Sequence, residues 1–290
     1  MNVARSPGEL ERRSRAVAVG TFDGVHLGHR RVLAAAVDQG PALTPTVVTF
    51  WPHPRVVLGN EVGLLTTLER RLELLADAGI EETLVVEFTP EVAQMAPDLF
   101  ADEVLRPIGT ELVVAGTNFR FGRGRVGDLE TLERLGLAVE RVELLPDVSS
   151  TAIRGRLREG DVAGAARSLG RPAEVEGTVV SGDARGGTLG YPTANLGVEP
   201  GMLVPAFGIY AGAAAAHRAA VSIGTNPHYG GNERRVEAFL LDFEGDLYGK
   251  RLVVELWQRL REEQAFGSEA ELVEQIGRDV EAARAAERPV

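Results

Sequence analysis

The spacing of hydrophobic residues changes its rhythm near residue 170. Between residue 16 and about 145, short β-branched runs alternate with stretches whose apolar positions recur at helical spacing. "AVAVGTF" precedes "HRRVLAAAVDQ", and "PTVVTF" precedes "TTLERRLELLADAG". "ETLVVEF" precedes "EVAQMAPDLFADEVL", "ELVVAGTNF" precedes "GDLETLERLG", and "AVERVELL" closes the series. Strands alternating with helices predict a parallel sheet wrapped by helices. Residues 149–169 then predict helix, with Ser149 or Ser150 as the N-cap.

Beyond "GRP" at 170–172, strand-like pieces are separated by turns rich in Gly, Asn, Pro and Asp. They are "AEVEGTVVSGD", "GIYAGAAAAH", "RAAVSIGT", "RRVEAFLLDF" and "RLVVELWQRL". "DFEGDLYG", between the last two, predicts a hairpin connection. Leu272, Ile276 and Val280 recur at helical spacing and predict a terminal helix. The pattern therefore predicts an α/β domain over 1–170 and a small, mainly antiparallel β-barrel with a closing helix over 171–290.

Composition narrows the chemistry. The chain has 290 residues, enough for two moderate domains, and no cysteine, which excludes disulfides, zinc–thiolate sites and thiol nucleophiles. No apolar run is long enough to span a bilayer, and the opening "MNVARSPGELERRSR" is charged, so a cytoplasmic location without a membrane partner is expected. A net charge of −11 argues against nucleic acid as a partner but is compatible with small phosphorylated ligands. Lys250 is the only lysine and no glycine-rich loop precedes it, which rules out a Walker-type phosphate loop. Nothing in the pattern sets an oligomeric state.

In an open parallel sheet, ligands bind beyond the carboxyl ends of the strands. "GTFDGVHLGH" follows the first strand of the alternation, "FWPHP" the second, "GTNFRFG" the fourth and "VSSTAIR" the fifth. His26 falls in a loop and His29 is expected to begin a helix, with Gly28 between them leaving room for a ligand near the backbone. A helix start offers free N–H groups and a positive dipole end, and imidazoles there could donate to phosphate oxygens. A metal clamp recruiting His53 is the alternative; it needs a carboxylate or water to complete it. "GRGRVG" at 122–127, with Glu143 downstream, matches a dinucleotide-binding pattern, yet it follows the fourth strand rather than the first.

The second half has its own candidates. "SGDARGGTLGYPTANL" is a glycine-rich loop whose backbone could cradle phosphate. Thr193 and Asn195 supply neutral hard oxygens suited to phosphate-bound Mg²⁺. Glu237, in "RRVEAFLLDF", is either a general base or a solvent-facing strand glutamate.

"GTFDGVHLGH" resembles the His-x-Gly-His signature of the nucleotidyltransferase superfamily. With "TFWPHP", "GTNFRFG" and "VSSTAIR" it resembles the adenylyltransferase half of the prokaryotic bifunctional riboflavin kinase/FMN adenylyltransferase family, the FAD synthetases. "GTLGYPTAN", "SIGTNPHYGG", "VEAFLLDFEGDLYG" and "LREEQAF" are similar, in order, to the kinase half. The resemblance implies a Rossmann-like nucleotidyltransferase domain and a six-stranded kinase barrel. It implies riboflavin, FMN, FAD and ATP as ligands and Mg²⁺ as cofactor. His26, His29 and Arg154 would be catalytic in the first half, with Gly20, Phe22, Gly28, Asn118, Ser150 and Thr151 on ATP. Asp23, Pro52 and His53 would contact flavin. In the second half Gly186 and Gly190 would serve ATP, Thr193 and Asn195 the metal, and Glu237 the proton of the ribityl 5′-hydroxyl. The chain departs from the family pattern at Gly187, Tyr191, His228, Tyr229 and Arg235. The changes at His228 and Arg235 leave open a barrel that only binds flavin, and a flavin or nucleotide carrier without turnover is a separate alternative.

Overall fold

The computed structural model describes residues 1–182, 189–225 and 234–289. The chain divides into two compact units, one of residues 1–62 and 68–148, the other of 63–67 and 149–290.

In the first unit, six strands form one sheet: β1 (Asn2–Ala4), β2 (Arg15–Val19), β3 (Thr44–Trp51), β4 (Glu82–Glu87), β5 (Thr110–Gly116) and β6 (Ala138–Val142). Their order is β1-β4-β3-β2-β5-β6, and every pairing is parallel. All five residues of β2 are buried, as a central strand covered on both faces requires. Val17 and Val19 enter one core with Phe100, Leu105, Leu129 and Leu132. Ala16 and Ala18 enter the other with Leu33, Ala36, Leu74 and Leu75. The latter four lie on α1 (Leu27–Val37) and α3 (Leu68–Asp77), which follow β2 and β3. The short helix α2 (Pro54–Val57) intervenes.

The stretch "EVAQMAPDLFADEVL" is not one helix. It forms α4 (Pro90–Ala93) and α5 (Pro97–Phe100), continued by one π-helical turn. Pro97 lacks an N–H and forces a new start. α6 (Leu129–Arg134) precedes β6. Edge strand β1, three residues in the charged opening, carries no periodicity that would announce it.

The strand order reverses between β2 and β5, the switch point where an open sheet leaves a crevice at its carboxyl edge. The opposite edge serves stability. There Arg15, fully buried at the start of β2, meets Glu82 of β4 at 2.7 Å and donates to Glu11 O at 2.7 Å.

The second unit is a closed barrel in the order β10-β11-β8-β7-β12-β9, with every pairing antiparallel. Its strands are β7 (Ala173–Val180), β8 (Ala194–Gly197), β9 (Gly208–Ala214), β10 (His217–Thr225), β11 (Arg234–Leu240) and β12 (Arg251–Arg261). Alternate residues fill the interior, among them Val221 and Ile223 of β10, Val236 and Ala238 of β11, and Val254 and Leu256 of β12. Helices α7 (Ser150–Glu159) and α8 (Val162–Leu169) belong to this unit, and Ile153, Leu157, Val162 and Leu169 join the barrel's core. The terminal helix α9 (Glu269–Ala285) packs Ala283 on Trp257 and Ala211. Its Asp279 receives Arg261 at 2.7 Å.

Segment 241–250 is not a hairpin connection. β11 pairs with β8 and β10, whereas β12 pairs with β7 and β9, so closure of the barrel separates the two strands that "DFEGDLYG" joins. Residues 63–67 reach the second unit by backbone pairing. Leu64 N donates to Gly201 O and Leu203 N to Leu64 O, each at 2.8 Å. No helix among the described residues is long and apolar enough to cross a membrane.

Candidate active sites

The first candidate lies at the carboxyl end of β2. Gly20 N donates to Val48 O at 3.1 Å and Thr49 Oγ1 to Thr21 O at 3.2 Å, so the loop starts fastened to β3. Phe22 and Val25 then take left-handed backbone conformations, φ 50° and 37°, a region that Val25 as a β-branched residue rarely enters. Burial of both side chains and a Val25 N to Phe22 O bond at 3.0 Å hold that shape.

The turn delivers His26 to the N-cap of α1, where its Nδ1 accepts the His29 amide at 3.2 Å. The helix thus begins at Leu27, two residues before the His29 start that the sequence predicts. Nδ1 can accept only if it carries no proton, so in the neutral ring the proton sits on Nε2. The His26 and His29 rings stack with centroids 3.6 Å apart and planes 15° apart. Phe22 meets His29 edge-on, with ring centroids 5.2 Å apart. Gly28 has a steric reason: a Cβ there would lie 3.2 Å from His26 Nδ1 and Cε1, crowding the capping ring.

Asp23 is 1% exposed and faces Arg71 of α3, itself 0% exposed, at 3.4 Å. The Arg71 guanidinium also lies over Trp51, 5.4 Å from the ring centroid. Arg71 was not among the sequence candidates, although a signal existed. It shares the apolar face of α3 with Leu74 and Leu75, where a charge needs a buried partner.

Pro52 follows Trp51 by a cis peptide at the end of β3, and His53 caps α2 by accepting Arg55 N on Nδ1 at 3.1 Å. Asn118 stands exposed in the turn after β5, on the other side of β2. Among the described residues, no group of three His, Asp or Glu side chains is placed to hold a metal ion. "GRGRVG" closes on itself through mutual Phe121–Gly127 backbone bonds of 3.0 Å, leaving Arg123 and Arg125 exposed.

Ser150, Thr151 and Arg154 occupy α7, in the second unit. Ser149 is the cap, accepting Ala152 N at 3.1 Å, while Arg154 is buried and donates through Nε to Gly63 O at 2.7 Å.

The second candidate lies on the outer wall of the barrel. Alternation along β11 turns Val236 and Ala238 inward, and therefore Arg235, Glu237 and Phe239 outward. Register sets Glu237 opposite Asn195 of β8 on one side and opposite Ser222 of β10 on the other. Thr193 Oγ1 donates to Glu237 Oε2 at 3.2 Å, and Arg235 Nε lies 3.2 Å from Glu237 Oε1. Asn195 is 8% exposed, and its Oδ1 is buried without a hydrogen-bond partner among the described residues. An unused amide oxygen beside a threonine hydroxyl is the donor set a hard cation takes, so these residues fit Mg²⁺.

Gly182, which the sequence did not single out, makes this fit possible, since a Cβ there would come within 2.3 Å of Asn195 Nδ2. Tyr191 packs edge-on against Phe239 at 5.3 Å. Gly190 precedes it with φ 86°, while Gly186, Gly187, His228 and Tyr229 lie outside the described residues.

Both halves of the chain are similar to known proteins. Residues 9–154 match the family described as FAD synthetase, and residues 169–287 the family described as riboflavin kinase. A bifunctional riboflavin kinase/FMN adenylyltransferase of Bacillus subtilis is 35% identical over 93% of this chain and 91% of its own. The protein of the same description from Escherichia coli K12 is 33% identical over 98% of this chain and 95% of its own. A solved structure from Streptococcus pneumoniae, described as a macrolide-efflux protein, is 30% identical with a TM-score of 0.88, covering 98% of this chain and 99% of its own.

Proposed function

The chain belongs to the bifunctional riboflavin kinase/FMN adenylyltransferase family, and we propose where on it the two reactions run. The enzyme phosphorylates riboflavin to FMN with ATP, then joins FMN to the adenylyl group of a second ATP, giving FAD and pyrophosphate.

FAD formation belongs to the loop after β2. A phosphate oxygen of FMN attacks the α-phosphorus of ATP, a new P–O bond forms, the α–β bridge breaks and pyrophosphate leaves. No protein nucleophile is required, so positioning and charge stabilisation carry the rate. The stacked imidazoles of His26 and His29 sit at the N-terminus of an eleven-residue helix, where donors and dipole both favour phosphate. With Nδ1 accepting the His29 amide, the donor of the neutral His26 ring is Nε2–H. Gly20 and Phe22 shape this loop, and Gly28 lets the cap ring sit close. Asn118, Ser150, Thr151 and Arg154 are assigned to ATP, and Asp23, Pro52 and His53 to flavin, from the motif match.

FMN formation belongs to the outer wall of the barrel, with the glycines at 186 and 190 serving the nucleotide. Glu237 takes the proton of the ribityl 5′-hydroxyl as that oxygen attacks the γ-phosphorus, and ADP departs. Thr193 and Asn195 would hold Mg²⁺, which when bound offsets the charge of the ATP phosphates. The observation that carries this assignment is the row Asn195–Glu237–Ser222, with an Asn195 oxygen that has no partner among the described residues at its buried end. We assign residues 1–170 to the transferase and 171–290 to the kinase, and the cytoplasm as location. Separate assays of FMN and FAD formation in His29→Ala and Glu237→Gln variants test the assignment; loss of both activities from either change would refute it.

A further inference from the structure

Glu237 is held from two sides. Its Oε2 accepts Thr193 Oγ1 at 3.2 Å, and its Oε1 faces Arg235 Nε at 3.2 Å. Arg235 and Glu237 are two residues apart on one strand, so the alternation of β11 places both on the outer face. A carboxylate engaged through a single oxygen can still swing about that contact. Donors on both oxygens fix its plane.

We propose that Arg235 is a positioning residue for FMN formation, orienting the Glu237 carboxylate through Oε1 while Thr193 holds Oε2. The inference rests on the assignment of Glu237 as the base. Three features favour positioning over a purely structural pair. The side chains are 23% and 30% exposed, a setting in which an ion pair adds little stability. The guanidinium is a planar, rigid donor, better suited to fixing an angle than a flexible ammonium. The contact also falls on the only β11 carboxylate, directly opposite Asn195.

The test uses the full chain with Arg235→Met, Arg235→Lys and, as control, Glu237→Gln. For Arg235→Met the maximal single-turnover rate of FMN formation should fall about tenfold, as for a base misplaced by a fraction of an ångström. KM for riboflavin and for ATP should stay within about twofold, and Arg235→Lys should recover at least about a third of the rate. FAD formation from supplied FMN and the melting temperature should not change. An unchanged FMN rate in Arg235→Met, or a higher KM for ATP at an intact maximal rate, would overturn the proposal. Full FMN formation by Glu237→Gln would instead remove the base assignment beneath it, so the two failures are distinguishable.

Discussion

His26 Nδ1 accepts the His29 amide while the two imidazoles stack 3.6 Å apart, so one contact both starts helix α1 and sets the paired rings. The His-x-Gly-His spacing follows from this geometry. A cap reaches the amide three residues on, and the intervening glycine keeps clear of the capping ring.

Cap and chemistry at His26 should therefore separate. His26→Asn restores an N-cap acceptor and should keep stability within about 0.5 kcal/mol, whereas His26→Ala should lose about 1 kcal/mol. Both should reduce FAD formation by roughly 100-fold, because neither supplies the imidazole donor. Chemical denaturation and an FMN-to-FAD assay on the same preparations check this. An active His26→Asn enzyme would reduce His26 to a cap.

Arg71→Met should destabilise the first unit strongly. It removes one member of a fully buried pair with Asp23, a change that costs about 3–5 kcal/mol in comparable sites. Trp51, under the Arg71 guanidinium, reports the transition by fluorescence in a Trp257→Phe background. Arg284→Met, which breaks an exposed 2.6 Å pair with Asp242, should leave the melting temperature nearly unchanged. Equal effects of the two changes would contradict the assigned burial.

Asn195→Ala should raise the Mg²⁺ concentration for half-maximal FMN formation about tenfold, since it deletes a neutral oxygen ligand. FAD formation from FMN should keep its Mg²⁺ dependence. Titrating Mg²⁺ in both assays decides the point, and an unchanged kinase titration would remove Asn195 from the metal site.

Much of this architecture was legible in the chain. Parallel strands buried on both faces leave continuous apolar runs such as "AVAV", and barrel strands leave a period of two, as in β11. Periodicity placed Glu237 on the outer face, but its partner across the ladder depends on register, which no local pattern encodes. The same limit hid residues 63–67, whose place in the second unit depends on pairing with Gly201 and Leu203. It also made segment 241–250 look like a hairpin, because neighbours in a closed barrel are chosen by closure rather than by sequence proximity. Motif spacing disclosed His26 and His29. Their stacking, and the Asp23–Arg71 pair, required the folded chain.

The most direct test of two independent chemistries on one chain is complementation in solution. His29→Ala and Glu237→Gln proteins would each be given riboflavin, ATP and Mg²⁺, then mixed, with FMN and FAD resolved by chromatography. Alone, His29→Ala should stop at FMN and Glu237→Gln should leave riboflavin untouched; mixed, they should make FAD. A mixture that makes no FAD although each variant is folded, or either variant making FAD alone at the wild-type rate, would contradict the assignment of one reaction to each site.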